Sequence, residues 1–255
     1  IDELMNTVGE LVITQSMLSQ LSTKVTGPVA EQLRSGLAQL ERNMRELQES
    51  VMRVRMLPIS FVFSRFPRMV RDLSQRLKKQ VELKVTGEQT ELDKTVLEKI
   101  GDPLVHLVRN SVDHGIELPE VRLAAGKPAT GTVSLEAYHK GGNITIEVGD
   151  DGGGLDKDKI LAKARARGLV GPNDQLTDEQ IYDLIFVAGF STAEQATDIS
   201  GRGVGMDVVR RNIKELGGTI EVRSQRGKGS RFIITLPLTL AIVDDIGAIT
   251  VVAVF

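Results

Sequence analysis

Leu33, Leu37, Leu40, Met44, Leu47, Val51 and Val54 are spaced by alternating fours and threes. That heptad seam commits this stretch to a long helix with one narrow apolar stripe. Ile1, Leu4, Val8, Leu11 and Leu18 follow the same plan upstream, with Gln15 interrupting, and Gly27-Pro28 breaks the chain between the two segments. Residues 1–56 therefore read as an antiparallel helical hairpin, each helix about 35–40 Å long. Two such helices cannot enclose a core alone. A second copy would complete a four-helix bundle across a two-fold axis, so a homodimer is expected; the alternative is packing on the rest of the chain.

From residue 57 the period changes. "LPIS" punctuates, a helix is predicted around 60–79, and "VELKV" places Val81, Leu83 and Val85 on one face of a strand. A helix starting near Asp93 passes or kinks at Asp102-Pro103. "GTVSLEAY" and "NITIEVGD" form a hairpin through "HKGG". A charged helix near 156–167 and a long irregular segment to about 205 follow, with a capping box at Thr177 and Gln180. A helix from Met206 to Leu216 and the strands "GTIEVRS" and "SRFIITLP" complete the domain. The fold class is α+β: the hairpin, then a two-layer α/β sandwich with a mixed sheet covered on one face.

Composition narrows the function. The chain has 255 residues, 41% hydrophobic and 26% charged, which suffices for more than one domain. A net charge of −2 argues against a nucleic-acid partner. The absence of cysteine removes disulfides and thiolate metal sites. No apolar run approaches the ~18 residues of a membrane span, so direct membrane insertion is not expected. "IDELMN" does not resemble a signal peptide, and a chain opening on Ile1 is expected to be a piece of something longer.

"HLVRNSVDHGIE" reads as a helix with His106, Asn110 and Asp113 within about 60° of each other. Leu104, Val105, Val108 and Val112 gather on the opposite face. Three glycine-rich stretches follow: "DDGGGLD" at 150–156, "GRGVG" at 201–205 and "GKGS" at 227–230. Each alone is an ordinary turn signal. "GRGVGM" fails the dinucleotide fingerprint, since Met206 holds the sixth position, and neither "GKP" nor "GKG" satisfies the P-loop.

The order of these motifs is more specific than any one of them. It resembles the ATP-binding GHKL group, which includes gyrase, MutL and the histidine kinases. "HLVRNSVDHGIELPE", "FSTAEQATDISGRGVGMDVVRRN" and "LPLTLAIVD" are similar to the CheA-type chemotaxis histidine kinases, and "TVGELVITQSML" and "LQESVMRVRMLP" extend the resemblance through the hairpin. It covers about residues 1–245 and is of the GHKL (Bergerat) type.

The resemblance implies that Asp150 accepts a hydrogen bond from the adenine amino group, while Gly152 and Gly154 let the base approach the backbone. It implies that Asn110 supplies a hard amide oxygen to Mg²⁺, whose remaining ligands are triphosphate oxygens and water. Relatives that hydrolyse ATP carry a glutamate four residues before that Asn. His106 stands there instead, favouring phosphoryl transfer over hydrolysis, by proton handling or by γ-phosphate contact. Asp113 is expected to orient backbone or the adenine side, and His114 is open between a structural and a phosphate-side role. Gly201, Arg202, Gly203 and Gly205 run into the helix at Met206, a nest of N–H groups suited to polyphosphate. Lys159 and Lys163, one turn apart, either reach the phosphates or form a solvated face. Residues 168–205 read as an ATP lid with Gly168, Gly171, Gly189 and Gly201 as hinges and Phe186 and Phe190 at its base.

The expectation is a dimerisation hairpin (1–56), an ATP-binding kinase domain (57–240) and the start of a truncated regulatory domain (241–255). The γ-phosphoryl of ATP would pass to a histidine on a separate phosphoacceptor domain. The coupling protein CheW and chemoreceptors would be partners through regions absent here, in the cytoplasm at membrane-associated receptor arrays. The rival reading is a dimeric ATPase clamp of the gyrase or MutL type. "DIGAITVVAVF" departs from the family pattern and is either a first strand of a further domain or a segment joined across a gap.

Overall fold

A computed structural model of the chain describes residues 2–190 and 205–238. Residues 58–240 cluster as one compact unit and residues 1–57 belong to another.

The N-terminal unit is a helical hairpin of α1 (Asp2–Ser22) and α2 (Pro28–Arg55). Gly27, at φ +97°, supplies the left-handed turn, and Pro28 takes the first helical position, where its missing N–H is no loss. The heptad seam divides into two rows with different fates. Val51 is buried against Val8 with Met44 packed beside them, and Leu37 lies partly buried one heptad further on. The other row of α2 (Leu33, Leu40, Leu47, Val54) is exposed, as are Leu4, Leu11 and Leu18 on α1. Helix α2 thus turns one row of its seam (Leu37, Met44, Val51) into the hairpin, and both helices leave a row of apolar residues, repeating every seven positions, exposed.

After a short strand β1 (Met56–Pro58), the second unit begins with a single helical turn, α3 (Ser60–Phe63), and continues into α4 (Phe66–Leu77). The helix predicted over 60–79 is therefore interrupted between Phe63 and Phe66, where both aromatic rings turn inward and pack edge to face, 6.3 Å apart. Strands β2 (Val81–Thr86) and β3 (Glu91–Asp93) lead to α5 (Lys94–Asn110). Asp93 caps α5 by accepting from the Thr95 N–H at 2.7 Å, and the helix carries on through Pro103. A short α6 (Pro119–Ala124) precedes the hairpin β4 (Gly131–Lys140) and β5 (Asn143–Asp150), which turns at Gly141-Gly142, both at positive φ. Then come α7 (Lys157–Ala166), α8 (Asp178–Asp183) with the expected Thr177–Gln180 capping box, a 3₁₀ turn (Leu184–Phe186), α9 (Met206–Glu215), β6 (Thr219–Gln225) and β7 (Gly229–Pro237).

The sheet order is β2-β4-β5-β7-β6, with β2 parallel to β4 and every other pair antiparallel. The parallel pair needs a crossover, which α5 and α6 provide. Register aligns Val85, Leu135, Val148, Phe232 and Val222 in one row across all five strands. The apolar sides of α4, α5 and α9 are buried with the inward side chains of the strands, the two-layer arrangement the sequence predicts. Asp150, at the end of β5, and the polar front of α5 stand at the edge of this core.

Candidate active site

Helix α5 does not extend through "HLVRNSVDHGIE" as an α-helix. It ends at Asn110, and Ser111–Gly115 form a π turn closed by the Ile116 N–H donating to the Ser111 carbonyl at 2.8 Å. The wider turn brings Gly115 under the loop after β5. A Cβ at Gly115 would stand 2.8 Å from the Asp150 carboxylate, so only glycine allows this approach. π turns of this kind concentrate at functional sites.

Asp150 is held from several sides. Its Oδ1 accepts from the Gly152 N–H at 3.0 Å and from the Ser230 N–H at 3.3 Å. Burial pushes its carboxyl up to about 6, against the pull of those two amides. The nearby Ser111 hydroxyl pulls in the same direction as the amides, yet it is buried and meets no partner at hydrogen-bond geometry. A buried, unpartnered hydroxyl beside a carboxylate suits a guest with both donors and acceptors along one edge, as an adenine base has.

The turn itself is locked between two others. The Gly153 N–H donates to the Gly115 carbonyl at 3.0 Å, and the Gly227 N–H donates to the Gly153 carbonyl at 2.7 Å. Gly154 adopts φ +72°, and the "GKGS" glycines form the β6–β7 hairpin turn against it. A Cβ on Gly152 would overlap the Gly115 carbonyl, a backbone atom that cannot swing aside. Gly152→Ala should lower Tm by roughly 5–10 °C and weaken ATP binding in a nucleotide titration; an unchanged melt would contradict this packing.

The polar front of α5 meets the start of α9. Asn110 donates its Nδ2 to the Met206 sulfur at 3.4 Å, which leaves the amide oxygen for another partner. Gly205 caps α9, so first-turn N–H groups are presented beside Asn110. The His106 imidazole is held below its ordinary pKa of 6.5, first by burial, then by Arg109 and His114, with Asp207 opposing. It is therefore neutral at pH 7, able to accept a proton.

The remaining candidates divide. Asp113 is partly buried 3.8 Å from the exposed His114, and its backbone carbonyl, like that of Val112, accepts from Lys79 Nζ. Among the described residues, Lys159 and Lys163 on α7 hydrogen bond to no other candidate through their ammonium groups; Lys159 is exposed. Phe186 and Phe190 are buried, with the Arg210 guanidinium 4.4 Å above the first ring and Arg167 5.6 Å above the second. Gly201, Arg202 and Gly203 lie outside the described residues, as do the Gly201 hinge and the segment 241–255.

One cluster has no counterpart in the sequence reading. Arg122 is 1% exposed, and its guanidinium bonds Glu117 at 3.0 Å, the Asp151 side chain at 3.0 Å and the Asp151 carbonyl at 3.2 Å. Lys127 Nζ reaches Glu117 at 2.7 Å and the carbonyls of Asp151 at 3.0 Å and Gly152 at 2.7 Å. Helix α6 ends in a Schellman turn: Gly126 N–H to Leu123 O, Lys127 N–H to Arg122 O, with Gly126 at φ +74°. The available signal was "GKP" itself, a glycine just past a helix followed by a base.

Residues 99–240 match the family described as histidine kinase-, DNA gyrase B-, and HSP90-like ATPase, and residues 1–54 match the signal transducing histidine kinase homodimeric domain. Chemotaxis protein CheA of Klebsiella aerogenes is 60% identical over 244 residues, which are 96% of this chain and 37% of that protein. For CheA of Salmonella typhimurium the identity is 59%, over 96% of this chain and 36% of the relative; for CheA of Bacillus subtilis it is 50%, again over 96% and 36%. The chain spans little more than a third of the length of these curated relatives. With its Asp-x-Gly-x-Gly turn, polar-faced helix and mixed sheet, the chain belongs to the histidine kinase-, DNA gyrase B-, and HSP90-like ATPase family.

Proposed function

We propose that the chain is the dimerisation and ATP-binding core of a chemotaxis protein-histidine autokinase, which passes the γ-phosphoryl group of ATP to a histidine on a separate phosphoacceptor domain. The observation that carries this reading is His106. A neutral imidazole one turn before Asn110 suits the proton that leaves an attacking histidine, and suits activation of water less well than a carboxylate would. Asp150 would accept from the adenine amino group. Asn110, its amide nitrogen turned to Met206, would offer its oxygen to Mg²⁺, which when bound neutralises triphosphate charge. Gly205 and Met206 would present N–H groups to the phosphates. Asp113 and His114 would shape the edge between the two ends, while Lys159 and Lys163 would add long-range positive charge.

The chain's histidines are His106, His114 and His139. The first two belong to the proposed site, and the third is exposed at the end of β4. Mg–ATP carrying a γ-label should therefore mark a supplied CheA-type phosphoacceptor domain on histidine and leave the chain itself unlabelled. Label on the chain's own histidine, or free phosphate alone, would overturn the proposal.

The outward leucine rows support a homodimer. Each leucine buried on association contributes roughly 1.5–3 kcal/mol, and a two-fold axis would bury every one twice. Leu40→Asp should raise the dimer dissociation constant by at least about a hundredfold in sedimentation equilibrium; an unchanged dimer would place the interface elsewhere. No described helix is long and apolar enough to cross a membrane. Coupling to CheW and chemoreceptors in cytoplasmic arrays is proposed from the likeness to CheA, to be tested by co-sedimentation of the whole kinase with receptor-bearing membranes.

A further inference from the structure

Gly126-Lys127-Pro128 fails as a P-loop, and the fold puts its lysine to a different use. The Schellman turn at Gly126 sends Lys127 back toward the loop after β5, where its ammonium bonds the carbonyls of Asp151 and Gly152. Glu117 holds that ammonium in place at 2.7 Å, and the buried Arg122 holds Glu117 in turn. Asp151 is further fixed by the Thr132 N–H, which donates to its Oδ1 at 2.9 Å. Two peptide units directly after Asp150 are thus fastened to a charged base. One of them carries the Gly152 N–H that bonds the Asp150 carboxylate.

We propose that Lys127 is a positioning residue for base selection, fixing the turn after Asp150 so that its carboxylate accepts from adenine and cannot retreat from guanine. The inference rests on the adenine-side reading of Asp150. Adenine presents an amino donor at its six position, and guanine presents a carbonyl acceptor there. A carboxylate held still binds the first and repels the second. A turn freed to shift by a few tenths of an ångström would relax both effects, because hydrogen-bond discrimination depends on the site being unable to adapt. Lys127 makes the better probe, since Arg122 is enclosed and its loss would threaten the fold.

The test compares the full chain with Lys127→Met and Lys127→Arg, measuring calorimetric affinities for ATP, GTP and tripolyphosphate alongside a thermal melt. Lys127→Met should weaken ATP about tenfold, leave tripolyphosphate unchanged and lower the ATP:GTP affinity ratio, while Lys127→Arg should recover most of that ratio. Equal losses for ATP and GTP, or no loss for ATP, would make Lys127 a support of the fold alone and overturn the inference. An unsubstituted chain that bound ATP no better than GTP would remove the adenine reading and this inference with it. Phosphotransfer is measured separately, so the kinase reading can fail while the affinity ratio behaves as expected.

Discussion

Asp150→Asn is expected to weaken ATP binding by about a hundredfold while making the folded domain more stable at neutral pH. The opposite signs come from one geometry. Oδ1 of Asp150 already accepts from the Gly152 and Ser230 amides. In the variant the asparagine oxygen keeps those two bonds, so its amino group takes the other position and meets the adenine amino group donor to donor. Stability runs the other way because burial raises the carboxyl from 3.8 to about 6. The protonated form is favoured by folding. Its stabilising contribution is fully present below pH 3.8 and is lost as pH rises through 6, where the buried charge becomes a net penalty. The neutral amide escapes it, by about 1–2 kcal/mol. Melting curves at pH 4 and pH 8 should show the variant's advantage only at the higher pH. A variant less stable at both would mean that the charge is better solvated than its burial implies.

His106→Gln should reduce phosphoryl transfer by about 10²–10⁴-fold and leave ATP affinity nearly unchanged. Glutamine keeps much of the size and the hydrogen-bonding reach but cannot accept a proton. The imidazole must be neutral to act, and burial with Arg109 and His114 keeps its pKa below 6.5. Transfer by the unsubstituted protein should therefore be flat above neutrality and fall on the acid side, below the range of an ordinary histidine. The residual transfer of the variant should lack that acid limb. If affinity for ATP fell in step with transfer, His106 would be a binding group rather than a proton acceptor.

How far the sequence revealed this fold differs from part to part for physical reasons. Strand β5 matches the predicted "NITIEVGD" in full, because alternation bounded by Gly141-Gly142 and a terminal Asp-Gly leaves little ambiguity. The capping box at Thr177 is similarly local. The heptad seam was legible as a stripe but not as two rows: spacing cannot say which leucines face α1 and which face outward. The π turn at Ser111–Gly115 was not legible, since one extra residue in a single turn leaves no mark on the pattern of five side chains. Asp150, Asn110 and His106 could be singled out by residue type and order. The charged base beneath them could not, because an arginine, a lysine and two acids in a loop-rich stretch read as ordinary surface until the fold encloses them. Burial of Arg122 depends on Asp151, twenty-nine residues away, and no local pattern encodes it.

That enclosure bears on how such a chain can change over evolutionary time. Glu117 and Asp151 carry two negative charges, Arg122 and Lys127 carry two positive ones, and all four are joined by hydrogen bonds. Removing Arg122 would leave Asp151 without its ionic partner, and removing Glu117 would leave Lys127 without one, steps more damaging than replacing the whole set with neutral residues. Single substitutions at these positions should therefore be rare among viable lineages. Where drift does occur, the four residues should change together.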